Sequence, residues 1–194
     1  MTYDLDDRLM MAPVDAEADA RTRRLRELGI GDHGDPEFDE FARRLAGILS
    51  APFAMVNLID DRRQFFAGLY TPETDAASSV VVAPADPDAG REMPGDSGYC
   101  PHVIARRRAL VLEDVCDYPR FAGDPIVDEM GVRSYMGAPL IDSTGVALGT
   151  VCVGDIEPHS WGRPGLEAIK SMASQVVARI NLRDGRPAAD LRMR

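Results

Sequence analysis

Lysine is almost missing from this chain: Lys170 is the only one in 194 residues, and arginine carries nearly all the positive charge. Basic residues number 22 against 32 acidic ones, for a net charge of −10. That balance excludes a general nucleic-acid binder, which needs a basic face to meet phosphates. A basic run, Arg21, Arg23, Arg24 and Arg26, is expected to decorate the solvated side of a helix. Long apolar runs are missing as well, and nothing approaches the roughly 18 residues that a membrane-spanning helix requires. The opening Met1-Thr-Tyr-Asp-Leu-Asp-Asp is acidic and lacks a signal-peptide pattern, so a cytoplasmic location without membrane contact is the expectation. Cysteine is scarce. Cys100, Cys116 and Cys152 cannot all pair within one chain and lack zinc-knuckle spacing, so free thiols are expected. There is no Gly-x-Ser-x-Gly elbow, no glycine loop with a phosphate-binding lysine, and no His-Glu-x-x-His.

What remains is a chain of one-domain length with a core of useful size. Residues 1–17 show no sustained period and are expected to form a flexible arm, 18–183 a single domain, and 184–194 a polar tail. Within the domain, 71–96 collapses into alanine, proline, aspartate and serine. It is expected to be a lid or disordered insert, with Val80-Val81-Val82 as a candidate brief strand. Helix formers dominate from Ala18 to Leu28. Asp35 and Pro36 then cap a helix that places Phe38, Phe41, Leu45, Ile48 and Leu49 on one face. Phe53–Ile59 and Arg63–Tyr70 read as a hairpin around Asp60-Asp61-Arg62, and Arg133–Ile141 and Val146–Asp155 as a second. Short helices are expected near Tyr99–Ala105 and from Asp124-Pro125 to Gly131, with a strand at Leu110–Glu113 between them. Gly165–Leu182 closes the domain with a stripe of Leu166, Ile169, Met172, Ala173, Val176, Val177 and Ile180. Helices at both ends with antiparallel hairpins between them describe an α+β sandwich.

Several segments occur in a telling order: Leu28-Gly29-Ile30, Pro52-Phe53-Ala54, Ile59 to Phe66, Tyr99-Cys100-Pro101-His102, Asp114 with Pro119-Arg120-Phe121, and Gly137-Ala138-Pro139-Leu140. From about Arg24 to Asn181 this series resembles the GAF domain, a small-molecule-sensing module of bacterial signalling proteins. The resemblance implies a central antiparallel sheet of about six strands with helices on both faces, and a pocket on one sheet face. It also implies a homodimer built through terminal helices. It names no cofactor, because relatives bind cyclic nucleotides, bilins, haem, small metabolites or nothing known.

On that reading the ligand-contacting candidates are Cys100, His102, Asp114, Asp117, Tyr118, Arg120, Phe121 and Tyr135. A thiol beside an imidazole can be activated or share a metal, but residues two apart on a helix face different ways. The bland alternative is a buried thiol with a locally bonded histidine. Asp114 and Asp117 suit a cationic ligand group and Arg120 a carboxylate or phosphate, or Asp114 simply caps a turn. Phe121 is expected to anchor its loop. The GAF reductases of free methionine-(R)-sulfoxide offer an enzymatic alternative, but their catalytic cysteine has no counterpart in Arg120-Phe-Ala-Gly-Asp-Pro, and Cys152 reads as core filler. A bilin or haem sensor is a further alternative; Pro101 interrupts the Cys-His pair associated with bilins, and His33, His102 and His159 are axial candidates by type only. The expected function is therefore a regulatory sensor for an unidentified small molecule, with a protein partner as output and the thiol redox enzyme and the bilin or haem sensor as alternatives.

Overall fold

Capping and turn residues mark most of the element boundaries. In the computed structural model, which describes residues 13–71 and 88–185, helix α1 (Ala18–Leu28) ends on Gly29 in the left-handed region. Helix α2 (Pro36–Leu49) starts where the Asp35 side chain accepts from the Glu37 amide, with Pro36 in the first turn, where it sacrifices no hydrogen bond. Strands β1 (Phe53–Ile59) and β2 (Arg63–Tyr70) form a hairpin, its turn held by Asp60 accepting from the Arg62 and Arg63 amides. Strand β3 (Glu92–Pro94), helix α3 (Cys100–Arg106) and strand β4 (Leu110–Leu112) follow. A 3-10 turn at Val115–Asp117 and helix α4 (Pro125–Met130) are each capped by an aspartate, Asp114 and Asp124. Strands β5 (Ser134–Ile141) and β6 (Ala147–Asp155) and the long helix α5 (Gly162–Arg183) complete the order.

The six strands make one antiparallel sheet in the order β3-β2-β1-β6-β5-β4. Helices α2 and α5 cover one face, where Phe38, Leu45, Ile169, Met172 and Val176 pack with Val56, Leu58, Ala138 and Val151. Helix α3 and the stretch down to Val132 cover the other, where Val103, Val115 and Phe121 meet Ile59, Leu112, Tyr135 and Cys152. This is the expected α+β sheet with helices on both faces. At Gly149 the β1 backbone comes so close that a Cβ would strike the Asn57 carbonyl, so glycine is required there.

Two expectations change. Arg21 and Arg24 do not lie on a solvated face. They sit three apart on the inner side of α1 and are buried, at 1 % and 7 % exposure, while Arg23 and Arg26 stay exposed. Burial is tolerated because each guanidinium is bonded: Arg21 to the Ile59 carbonyl (2.7 Å) and Asp15, Arg24 to Asp142 (2.7 Å) and Asp184 (2.5 Å). The α5 stripe from Ile169 to Ile180 packs inside the chain, on the sheet and α2. Part of the expected insert is ordered, since Glu92–Pro94 form the edge strand β3 against Arg63–Phe65. The rest of it, 72–87 with the Val80–Val82 candidate strand, lies outside the described residues, as do 1–12 of the arm and 186–194 of the tail.

Candidate functional site

Strand alternation brings a polar group to the α3-covered face. In register, Asn57 of β1 opposes Thr150 of β6, and Cys152 lies between Met55 and Gly137. Asn57, Thr150 and Cys152 are fully buried, and Tyr135 of β5 nearly so. Gly137 makes room for Tyr135: a Cβ there would collide with the tyrosine hydroxyl folded across it. The first residue of α3 lowers its thiol into this group, so that Cys100 Sγ lies 3.3 Å from the Tyr135 hydroxyl and 3.7 Å from Cys152 Sγ.

A second chain of bonds fixes the amides. Gln64 donates from Nε2 to the carbonyls of Pro94 (2.9 Å) and Ser97 (2.7 Å), so its Oε1 accepts from Asn57 Nδ2 at 2.7 Å. Asn57 Oδ1 is thereby left over. It has no hydrogen-bond partner among the described residues, and neither have Thr150 Oγ1 and the Tyr99 hydroxyl. A buried polar atom left in this way costs about 1–3 kcal/mol. Three of them around one helix mark a surface shaped for something other than stability alone.

Charge preferences follow from the same contacts. The polar neighbours Cys152, then Thr150, Tyr135 and Asn57, draw the Cys100 thiol below the ordinary thiol range against the opposing effect of burial. Cys152 is pushed up, first by its bond to Cys100 and then by burial. The Tyr135 hydroxyl is raised by burial and by the two sulfurs. His102 is held neutral, its pKa lowered to about 4 by burial and by Arg120 and Arg106.

The eight candidates from the sequence separate into two groups. Cys100, His102, Phe121 and Tyr135 come together under α3. Tyr99 joins them, its ring 5.6 Å from Phe121 and 5.1 Å from Tyr135, and His102 lies 5.1 Å from Phe121. Asp114 caps Cys116 and is ion-paired with Arg133 (2.6 Å), which holds its carboxyl below the usual range. Asp117, Tyr118 and Arg120 are exposed on the loop, with the Arg120 guanidinium over the Phe121 ring, 5.9 Å from its centre. Asn57, Gln64 and Thr150 were not legible as site residues, although Asn57 and Gln64 are the polar interruptions of otherwise apolar strands. Among the described residues, no three His, Cys, Asp or Glu side chains are grouped to hold a metal ion.

A family model described as the GAF domain matches residues 34–180. The chain belongs to the GAF domain family. A cyclic di-GMP phosphodiesterase of Pseudomonas aeruginosa is 26 % identical over 172 residues, 87 % of this chain. The chain spans about a quarter of that relative, 27 % of its length. Among solved structures, the GAF domain of a phosphoenolpyruvate-protein phosphotransferase from Coxiella burnetii aligns with a TM-score of 0.59 at 16 % identity, covering 87 % of this chain and 95 % of the other. A free methionine-R-sulfoxide reductase from Neisseria meningitidis, solved with its substrate, aligns at 0.58 and 15 % identity, covering 89 % and 95 %. At such identities the structures share the fold. The GAF assignment places the chain with signalling and regulatory domains, and no helix among the described residues is long and apolar enough to cross a membrane.

Proposed function

We propose that this GAF domain senses a small molecule held between α3 and the sheet, and passes the binding event to a separate output partner through its terminal helices. The observation that carries the reading is the cross-strand pair Asn57 and Thr150, fully buried, each with an oxygen lacking a partner among the described residues and both beside Cys100. Asn57 Oδ1 can only accept, so the ligand bears an N–H or O–H donor, and Thr150 can meet either kind of group. Cys100, His102, Phe121 and Tyr135 supply the walls, while Asp114, Asp117, Tyr118 and Arg120 belong to the loop that a larger ligand would displace. The relative's cyclic di-GMP phosphodiesterase activity supports second-messenger turnover as the class of output. Action in the cytoplasm, as a homodimer, completes the proposal. Its interface would have to use surfaces such as the exposed Ile48 and Leu182, because the α5 stripe is already covered.

Thr150→Val tests the site, since it replaces the hydroxyl by a group of the same shape. In ligand-free protein, removing an unpartnered buried polar atom should raise unfolding stability by about 1 kcal/mol, while ligand binding weakens by roughly tenfold. Native mass spectrometry of the purified chain should show a bound small molecule in wild type and a lower occupancy in the variant. A variant less stable than wild type, with unchanged ligand occupancy, would refute the reading.

A further inference from the structure

We propose that Cys100 and Cys152 form an oxidation site, in which a hydroperoxide converts the two thiols into a disulfide that staples α3 to the middle of the sheet. The inference goes beyond the sensing role and is independent of which molecule the site binds. It rests on the placement of the two sulfurs: 3.7 Å apart, contributed by residues 52 apart in sequence, with the Tyr135 hydroxyl 3.3 Å from one of them. A disulfide needs about 2.05 Å, so the sulfurs must close by roughly 1.7 Å. Cys100 occupies the first turn of a seven-residue helix, whereas Cys152 is fixed between two paired strands, so the movement falls to α3.

The two thiols have different parts. Cys100 is 6 % exposed and Cys152 is fully buried, so a small oxidant meets Cys100 first. The surrounding polar groups favour its thiolate, the form that attacks. The Cys100 sulfur attacks one peroxide oxygen; the O–O bond breaks, the departing oxygen takes a proton and leaves as water or an alcohol, and Cys100 becomes a sulfenic acid. Cys152 then attacks that sulfur; the S–S bond forms, the S–O bond breaks, and the hydroxyl leaves as water with the Cys152 proton. The two thiols have lost two electrons and two protons, and the peroxide has gained them. A small thiol such as dithiothreitol reverses the change. Cys116 is exposed and takes no part.

The test uses the full chain carrying Cys116→Ser, which removes the exposed competitor, with hydrogen peroxide as the probe. Mass spectrometry should show a product lighter by about 2 Da, the two thiol hydrogens, restored by dithiothreitol, with one linked peptide joining Cys100 and Cys152. In urea the same link must close a long flexible loop, so it should form at least about tenfold more slowly than in the folded chain. With Cys152→Ser added, the sulfenic acid on Cys100 should persist and be trapped by dimedone. Should that variant fail to fold, the ratio of folded to unfolded rates still decides the matter. Oxygen added to Cys100 with no linked peptide, no change in mass, or a link formed equally fast in urea would each overturn the proposal.

Discussion

Truncation of Asp142 to alanine should unfold the domain more readily than any other single change in the β5–β6 turn. The carboxylate is buried, with one oxygen accepting from the Thr144 amide (2.9 Å), the Thr144 hydroxyl (2.6 Å) and the Val146 amide (3.2 Å), and the other from Arg24 Nε (2.7 Å). Removing one member of a buried ion pair costs about 3–5 kcal/mol, because the other charge stays buried. Arg24 keeps Asp184 and Glu27 as partners, which places the expected loss near the lower bound, about 3 kcal/mol. For a domain of this size that lowers the midpoint by roughly 6–12 °C. Asp142→Asn preserves the turn acceptor and loses the charge, so it should cost about half as much. The pH dependence has a definite sign. Burial works against ionisation of Asp142, but the bonds from Thr144, Arg24 and the turn amides outweigh it and lower the folded-state pKa below 3.8. Its contribution is therefore present above the ordinary aspartate range and lost as pH falls through the folded value. Urea unfolding followed by circular dichroism measures both effects. A loss under about 1 kcal/mol for the alanine variant would refute the reasoning.

His102 supplies a second acid-linked effect at higher pH. The folded state keeps it neutral down to about 4 while the unfolded chain protonates near 6.5. Stability should therefore fall across that window, by up to about 3 kcal/mol. His102→Gln should flatten the profile there, and an unchanged profile would show that the ring is not held neutral. Gly149→Ala forces a Cβ into the Asn57 carbonyl and should cost at least about 2 kcal/mol in chemical denaturation. A wild-type midpoint in that variant would mean that β1 and β6 can separate freely.

Elements that announce themselves through their own residues were legible in the sequence. Asp35 and Pro36 start α2, and the polar turns at Asp60-Asp61-Arg62 and Asp142–Gly145 define both hairpins, all as expected. Strand β3 was not legible, because Glu92-Met-Pro has no pattern of its own and is ordered by the edge of β2. Arg21 and Arg24 were misread for a related reason. A charge run looks like a solvated face until the partners are known, and Asp142 and Asp184 are contributed by remote elements. The site divides the same way. Phe121 anchors its loop as expected, yet Asp117, Tyr118 and Arg120 of that loop are exposed. Thr150 looked ordinary because threonine suits strands, and its missing partner is visible only once α3 is in place. The pairing of Cys100 with Cys152 depends on strand register, which no local spacing discloses.

The buried arginines also give the site a physical route to the chain termini. Asn57 is two residues from Ile59, whose carbonyl accepts from Arg21 of α1. On the other side, Thr150 belongs to β6, and the turn that leads into β6 is held by Asp142, itself bonded to Arg24 of α1. Arg24 in turn grips Asp184, at the end of α5. In the proposed sensor, a ligand that separated α3 from the sheet would strain β1 and β6 at those two residues; β1 ends at the carbonyl bonded to Arg21, and the turn before β6 is bonded to Arg24. An unpaired buried charge is costly, so in the proposed sensor a displacement of α1 would have to give Arg24 new partners for Asp142 and Asp184 or carry them with it. A ligand moves such a helix only by binding the displaced form more tightly, and the unpartnered oxygens of Asn57 and Thr150 are where that difference would arise.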